Sequence, residues 1–557
     1  MGEIRISALK RESLENILLR YNGKGKVIMI DPQSHLPTHE VTNQPPGPPE
    51  RHLWHDDPVL RSYADADAAP YAEQLSRPDW AEIARQAQHP GPELRLFDAG
   101  GRRLDEVRFA PAYHSLLQAG LEAGYAGGPW TGGSHLTHAA MVYLHSQVEP
   151  GTCCPMTMTY AAIPVLANTP LAGEWVPKLS AREHDPAIAP IGSKRAATLG
   201  MAMTEKQGGS DVRTNTTRAE RDGAVYRLTG HKWFCSAPMS DGFLTLAQAP
   251  GGLSCFLVPR WLETGRNGIH LLRLKDKLGN RANASAEIEY HGAQAHLIGE
   301  EGEGVQRIIE MVHHTRLDTA LAPAGLMRAA LVHLHHWVSH RRVFQRSLID
   351  QPLMRSLLAD LVLDWEGAAA LGLRVARAFD GDSAEDRAFA RIGVALAKFI
   401  NNKLCPRVVV EAMEGLGGMG YVEDTPLPML YREAPLNGIW EGSGNVICLD
   451  ILRTLARDGL AAATLGEELE AARGADRAYD AALADHRARW PGLPEEAEAR
   501  WYAERLALLL TASVLLRHAP GAVADGFCAT RLAGVRGHVA GSVGGLDMDA
   551  LIARLGR

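Results

Sequence analysis

The 557-residue chain predicts a mainly α protein with a small β domain at its centre. Three observations carry that expectation. Apolar residues recur three and four apart up to about residue 197, short β-branched and aromatic runs broken by Gly, Pro and Asn replace them over about 198–305, and the helical spacing returns from 306 to the end. In order, residues 1–37 hold one short helical stretch, ESLENILLRY, ahead of a Gly-Lys-rich break, and carry no assigned function. From about His39 the segment THEVTNQPPGPPE is proline-rich and extended. An N-terminal helical domain, 38–197, is expected from PVLRSYADADAAPYAEQL, DWAEIARQAQ, RRLDEVRFAPAYHSLLQAGLEAG and LTHAAMVYLHSQVEP. The middle β domain, 198–305, rests on VYRLTGHKWFCS, DGFLTLAQAP, LSCFLVPR, GIHLLRLKDKLG and SAEIEYHGAQAHLIG. Three long amphipathic runs then predict a helical bundle over 306–455. A further Ala-Leu-Arg-rich helical section spans 456–557, with a glycine-rich stop near Gly541–Gly545.

Bulk numbers narrow the function. A net charge of −7 argues against a globally basic nucleic-acid binder and leaves room for a local basic patch. No run of about 18 apolar residues occurs, so no membrane span is expected. The first thirty residues carry charges throughout and no apolar core before a cleavage site, which points to a cytoplasmic protein. Seven scattered cysteines without a CxxC pair read as buried thiols, and no metal site is expected.

The chemistry-bearing stretch is GMAMTEKQGGSDVRTNTT, Gly200 to Thr217. Its glycines let a backbone approach a planar ligand, and Thr204, Ser210 and Asp211 add donors and an acceptor. Taken alone it also fits an ordinary polar loop. Two later stretches belong with it: HKWFCSAP, His231 to Pro238, and NGIWEGSGNVICLDILR, Asn437 to Arg453.

In order along the chain, M-T-E-x-x-G-G-S-D, K-W-F-x-S, G-G-M-G-Y at 417–421 and W-E-G-S-G-N at 440–445 resemble the acyl-CoA dehydrogenase superfamily. The variants T-E-K-Q-G-G-S-D, H-K-W-F and I-W-E-G-S-G-N are similar to its alkylation-response, or AidB, branch over roughly residues 38–557. The resemblance implies the three-domain fold of that superfamily (helices, β domain, helices) plus the extra helical section. It also implies FAD as cofactor, an acyl-CoA substrate and a homotetramer whose flavin sites are shared between subunits.

Carried onto this chain, it implies a cofactor set of Met201, Ala202, Met203, Thr204, Gly209, Ser210, Trp233, Phe234, Cys235, Ser236, Ile439, Trp440, Gly442, Ser443 and Asn445. Thr204, Ser210 and Ser236 are the hydroxyls at matching positions, and Trp233 with Phe234 either stack beside the ring or fill the β-domain core. Cys235 stands where family members commonly place a hydroxyl, so whether position 235 or 236 addresses the flavin N5 stays open. Arg341 resembles the arginine that reaches the FAD pyrophosphate of a neighbouring subunit. Arg342 is its competitor.

Glu441 is the candidate base. Removing an α-proton from a thioester while hydride leaves the β-carbon requires one carboxylate beside Cα, and burial raises its proton affinity. The superfamily's alternative base position, one residue before Arg316, is Thr315 and holds no acid. The string GLGGMG, Gly415 to Gly420, follows a helical run rather than a strand and reads as a helix C-terminal turn instead of a dinucleotide fingerprint. HLHHW, His333 to Trp337, reads as one helix without metal.

The AidB resemblance also implies double-stranded DNA as a partner, through basic residues of the C-terminal section. That section, 453–557, holds 13 Arg against 14 Asp and Glu; after 499 the count is 7 against 4. Arg453, Arg517, Arg531 and Arg536 are the candidates for phosphate contact. The leading reading is α,β-dehydrogenation of a short or branched acyl-CoA. The alternative is a DNA-binding protective flavoprotein with vestigial dehydrogenase activity.

Overall fold

The structure is a computed structural model that describes residues 18–21, 27–30 and 33–556. Leu18–Tyr21 (β1) pairs antiparallel with Val27–Ile30 (β2), which corrects the helix expected over 12–21 at its C-terminal end; residues 12–17 lie outside the described residues.

The N-terminal domain is helical with one insertion. Helices α1 (Pro58–Tyr63), α2 (Ala69–Leu75) and α3 (Asp79–Gln88) precede a hairpin of β3 (Glu93–Phe97) and β4 (Arg103–Arg108). That hairpin corrects the helix expected to begin at Arg102. Asp98 accepts from the amides of Gly100 and Arg102, closing a turn in which Gly101 has φ +78°. Asp105 then docks the hairpin on the β domain by accepting from Leu271 N at 2.9 Å. Helices α4 (Pro111–Ala123), α5 (His135–Ser146), α6 (Cys153–Ala167) and α7 (Ala172–Leu179) complete the domain.

The β domain contains β5 (Leu199–Ala202), β6 (Arg218–Asp222), β7 (Val225–Ser236), β8 (Gly242–Ala249), β9 (Gly252–Pro259), a two-residue pair β10 (Trp261–Leu262) and β11 (Gly265–Arg266), β12 (Ile269–Leu274) and β13 (Ser285–Ile298). Seven strands make one sheet in the order β12-β13-β7-β6-β8-β5, with β9 joining β13 and β8. On β7, Lys232 lies opposite Ile288 and Cys235 opposite Ala286, so Trp233 and Phe234 together face the single residue Glu287. This β-bulge bends the strand and re-aims both aromatic side chains. Cys235 stays in the sheet's core, fully buried, whereas Phe234 is 50% exposed.

Helix α8 (Gly304–His340) runs 37 residues, about 55 Å at 1.5 Å per residue. It packs with α9 (Pro352–Phe379) and α10 (Ala384–Gly415) around a continuous core that includes Leu321, Leu371, Trp365 and Leu396. Gly372 admits the close approach, since a Cβ there would meet the Leu321 side chain at 2.6 Å. Between α8 and α9 the chain forms a tight hairpin, β14 (Arg342–Val343) with β15 (Arg346–Ser347). After α10, Gly417–Gly420 is a single 3-10 turn, then α11 (Leu427–Glu433) and α12 (Gly444–Arg457) follow.

Of the remaining helices, α13 (Gly459–Glu470), α15 (Ala499–His518), α16 (Gly521–Phe527) and α17 (Met548–Ile552) pack on α9, α10 and α12, and α14 (Arg477–Arg489) packs on α15. Ion pairs anchor their far end: Arg531 lies on Asp360 and Asp364, and Arg554 on Glu366. Among the described residues no helix is long and apolar enough to cross a membrane. All seven cysteines are buried and unpaired.

Candidate active site

The loop after β5 is built on a residue that motif reading passes over. Glu205 is fully buried and accepts from Thr216 N at 2.7 Å, Thr217 N at 3.1 Å and Lys232 Nζ at 2.8 Å. Lys232, also buried, draws the Glu205 carboxyl down to about 2 once the opposing cost of burial is overcome. Burial pulls the Lys232 ammonium below its usual value, so the pair fixes the loop's shape more than it adds net stability. The letters E205 and K232 stand inside the two motifs, which was the available signal.

With that anchor in place, Trp233 N donates to Thr204 O at 2.8 Å, joining Thr204 to the bulged end of β7, and Asn215 Nδ2 donates to Met203 O at 3.0 Å, closing the loop on itself. Gly209 lacks a side chain where one would strike Thr204 Oγ1 at 2.6 Å. Ser210 is exposed at the loop's rim and Met201 is partly buried. The side chains of Ala202 and Cys235 lie in the β-domain core, so only their main chains remain to meet a ligand. Trp233 sits outside that core, with Lys275 Nζ 3.3 Å from its ring centroid. Ser236 Oγ lies 3.2 Å from Ser285 Oγ, beside the Cys154 thiol of α6.

Glu441 occupies the loop into α12 with φ +58°, a left-handed conformation that non-glycine residues adopt at a cost. Two helices hold it there. Arg316 of α8 donates to Glu441 O at 3.2 Å and bridges to Asp450 at 2.7 Å. Lys398 of α10, 1% exposed, donates to Asn437 O at 2.6 Å and Trp440 O at 2.8 Å. Trp440 Nε1 in turn donates to Asn437 Oδ1 at 2.7 Å.

The Glu441 carboxylate Oε2 is sealed from solvent and has no hydrogen-bond partner. Burial pushes the carboxyl above its ordinary range, while Lys398, the Thr315 hydroxyl and Arg316 pull it back. The same burial brings Lys398 down to about 7. Each member of the pair is thus pushed toward its neutral form by removal from water. Thr315, the alternative base position, sits against the glutamate without an acid of its own.

Glu441 and Ser236 are both near Cys154, since the thiol is hydrogen-bonded to Ser236 and pushed further up by the Glu441 charge. Parts of all three domains therefore meet here. Of the neighbouring residues, Ile439 is 65% exposed, Ser443 and Asn445 are exposed, and Asn445 Oδ1 accepts from Arg500 Nη1 at 2.8 Å. The cavity of about 300 Å³ between α4, residues 183–198 and the turn after β7 contains none of these groups.

Arg341 caps the far end of α8, donating to Asn43 O at 2.7 Å. It lies about 38 Å along the helix from Arg316 at 1.5 Å per residue, out of reach of the Glu441 loop of its own chain. His333 to Trp337 lie along the same helix. Of the four candidate DNA arginines, Arg453 alone is exposed without an ion pair among the described residues. The other three are ion-paired within the chain. Arg531 is 3% exposed between Asp360 and Asp364, Arg536 reaches Asp360 at 3.4 Å, and Arg517 pairs with Glu468. The guanidinium of Arg531 is fully committed within the chain, whereas Arg517 and Arg536 each give one nitrogen to a carboxylate.

A helical domain, a β domain and a helical bundle meeting at a sealed carboxylate define an acyl-CoA dehydrogenase fold. Sequence profiles agree: the acyl-CoA dehydrogenase middle domain matches residues 200–293, its C-terminal domain 302–456, and the adaptive response protein AidB N-terminal domain 43–186. The chain belongs to the AidB branch of the acyl-CoA dehydrogenase family. It is 44% identical over 516 residues to AidB of Escherichia coli (strain K12), whose name carries a provisional acyl-CoA dehydrogenase assignment, covering 89% of this chain and 95% of that protein. It is 33% identical to acyl-CoA dehydrogenase family member 11 of Caenorhabditis elegans, covering 78% of this chain and 76% of that protein. The crystal structure of Caenorhabditis elegans ACDH-11 in complex with C11-CoA superposes with a TM-score of 0.80 at 28% identity, covering 94% of this chain and 93% of that one.

Proposed function

We propose that the protein is an FAD-dependent acyl-CoA dehydrogenase in which Glu441 removes the α-proton of a short or branched acyl-CoA. The observation that carries this reading is the Glu441 carboxylate itself: sealed, lacking a partner at Oε2 and held in a left-handed backbone conformation by two helices. A buried acceptor without a donor costs free energy unless it serves something.

The surrounding groups suit a flavin. Trp233 and Phe234 are turned out of the sheet by the bulge, Gly209 leaves room beside Thr204, and the Ser236 hydroxyl stands at the same end of β7. When bound, FAD supplies the hydride acceptor. Glu441 takes the proton from Cα, and its burial gives the carboxylate the proton affinity that this step needs. Lys398 and Arg316 hold the main chain on either side, so the carboxylate keeps its place while the proton moves. Thr204 and Ser236 would meet the cofactor's polar edge. We read the protein as a homotetramer on its family resemblance, with Arg341 serving a flavin bound to another subunit. We place the protein in the cytoplasm.

The test is reconstitution with FAD followed by anaerobic addition of short and branched acyl-CoAs. Bleaching of the flavin band that disappears in Glu441→Gln supports the reading, and no bleaching with any of them overturns it. DNA binding is the second reading and is best carried by Arg453, since the other three candidate arginines are ion-paired within the chain.

A further inference from the structure

The hydroxyl of Ser236 ends a chain of hydrogen bonds whose direction is set at both ends. Lys277 Nζ has three donors and, when protonated, no acceptor. It donates to Asn283 O at 2.7 Å, to Ser285 Oγ at 3.3 Å and to Asn280 Oδ1 at 3.4 Å. Asn280 is oriented from its other side by Glu433 of α11, a carboxylate that accepts from Asn280 N at 2.5 Å and Nδ2 at 3.0 Å. The amide oxygen of Asn280 therefore has to face Lys277 and Asn283 Nδ2, the latter at 3.1 Å.

Because Ser285 Oγ receives a proton from Lys277, its own proton is free for Ser236 Oγ, 3.2 Å away. Ser236 is thereby left with its O–H to give away from the sheet. Its other neighbour is the Cys154 thiol, a weak acceptor that a stronger one would displace. Asn280, Asn283, Ser285 and Glu433 are all buried, so water does not compete for these bonds.

We infer that Lys277 is a positioning residue which, through Ser285, turns the Ser236 hydroxyl into an oriented donor toward the polar edge of the bound flavin. The inference rests on the proposed function for the identity of the ligand, and it selects Ser236 over Cys235, whose side chain is in the sheet's core. It also implies a switch. Burial brings Lys277 down to about 8, against the attraction of Cys154, Glu433 and Glu149, the titratable groups that face it from α6, α11 and the turn before α6. Once neutral, the amine can accept from Ser285, and the chain of hydroxyls reverses. Burial pushes Glu433 up to about 7, so the variants must separate its titration from that of Lys277.

The experiment is a pH titration, from 6.5 to 9.5, of the visible absorption band of oxidised FAD on the reconstituted full chain. Wild type is expected to show one transition near pH 8. Ser285→Ala, which cuts the chain and leaves Lys277 and Glu433 in place, is expected to abolish the transition. Lys277→Met is expected to do the same, and Glu433→Gln to retain a transition. A transition unchanged in Ser285→Ala, or none in flavin-loaded wild type, overturns the inference while leaving the proposed function standing. A wild-type chain that takes up no flavin overturns both.

Discussion

Lys398 reaches Glu441 by two routes: its ammonium attracts the carboxylate, and it donates to the carbonyl oxygen of Trp440, the residue just before the glutamate. One side chain of α10 therefore bears on both the position and the proton affinity of the candidate base, beside burial, Arg316 and Thr315. Lys398→Met removes the attraction, which favours the charged carboxylate, so the Glu441 carboxyl moves further up. The acid limb of kcat/KM for acyl-CoA-dependent flavin reduction is expected to move to higher pH. Stopped-flow reduction across a pH series checks this, and a limb left in place contradicts it.

Glu441→Gln tests the trade between stability and chemistry. Loss of a positioned base typically costs 10²–10⁴-fold, here expected on flavin reduction with flavin content unchanged. A folded-state carboxyl raised above its unfolded value favours folding when protonated, and that contribution is lost as pH rises past the unfolded value toward the folded one. At pH 8 the glutamine variant is expected to melt at the same temperature as wild type or higher. A clear fall in Tm would show that the carboxylate supports the fold and is not held there at a cost.

How far the sequence disclosed this site varies residue by residue. Glu441 was legible because glycines flank it in a short motif, and the bundle was legible because α8, α9 and α10 carry unbroken apolar stripes. The hairpin at β3 and β4 was not, since Leu104 and Val107 are three apart as in a helix and the turn at Asp98 is visible only with its partner strand in place. The bulge at Trp233 and Phe234 likewise depends on pairing with β13. Lys398 looks like any polar position on a long helix until the loop carbonyls it holds are folded against it. Arg531 looks like a free cation because Asp360 and Asp364, which neutralise it, lie on α9.

Glu205 is expected to be the most sensitive residue of the cofactor loop. Glu205→Gln leaves Lys232 buried without its counter-charge, a change that typically costs about 3–5 kcal/mol. Wild type carries its own signature. The carboxyl is held at about 2 against an ordinary value of 4.5, so the stability it contributes is complete above that ordinary value and is lost as pH falls toward 2. Thermal melts at pH 7 and at pH 3 measure both. A Glu205→Gln variant that melts with wild type at pH 7 and retains flavin contradicts the role.

The arginines of the C-terminal section separate DNA contact from folding. Arg453 is exposed and carries no ion pair among the described residues, so Arg453→Ala is expected to leave Tm unchanged. If duplex DNA binds there, log K against log salt loses about 0.9 of its slope, the value for one phosphate contact. Arg531→Ala is expected to behave differently. It takes the most buried partner from Asp360 and Asp364, which keep only Arg536 and Arg407, at a cost of up to about 3–5 kcal/mol, and loosens the section from α9. Any DNA affinity lost in that variant should come with a lower Tm. Fluorescence titration of a labelled duplex at several salt concentrations, run beside thermal melts of both variants, distinguishes the two effects. A normal melt for Arg531→Ala with a reduced salt slope would place that residue on the DNA surface, and an unaltered slope in Arg453→Ala would remove Arg453 from it.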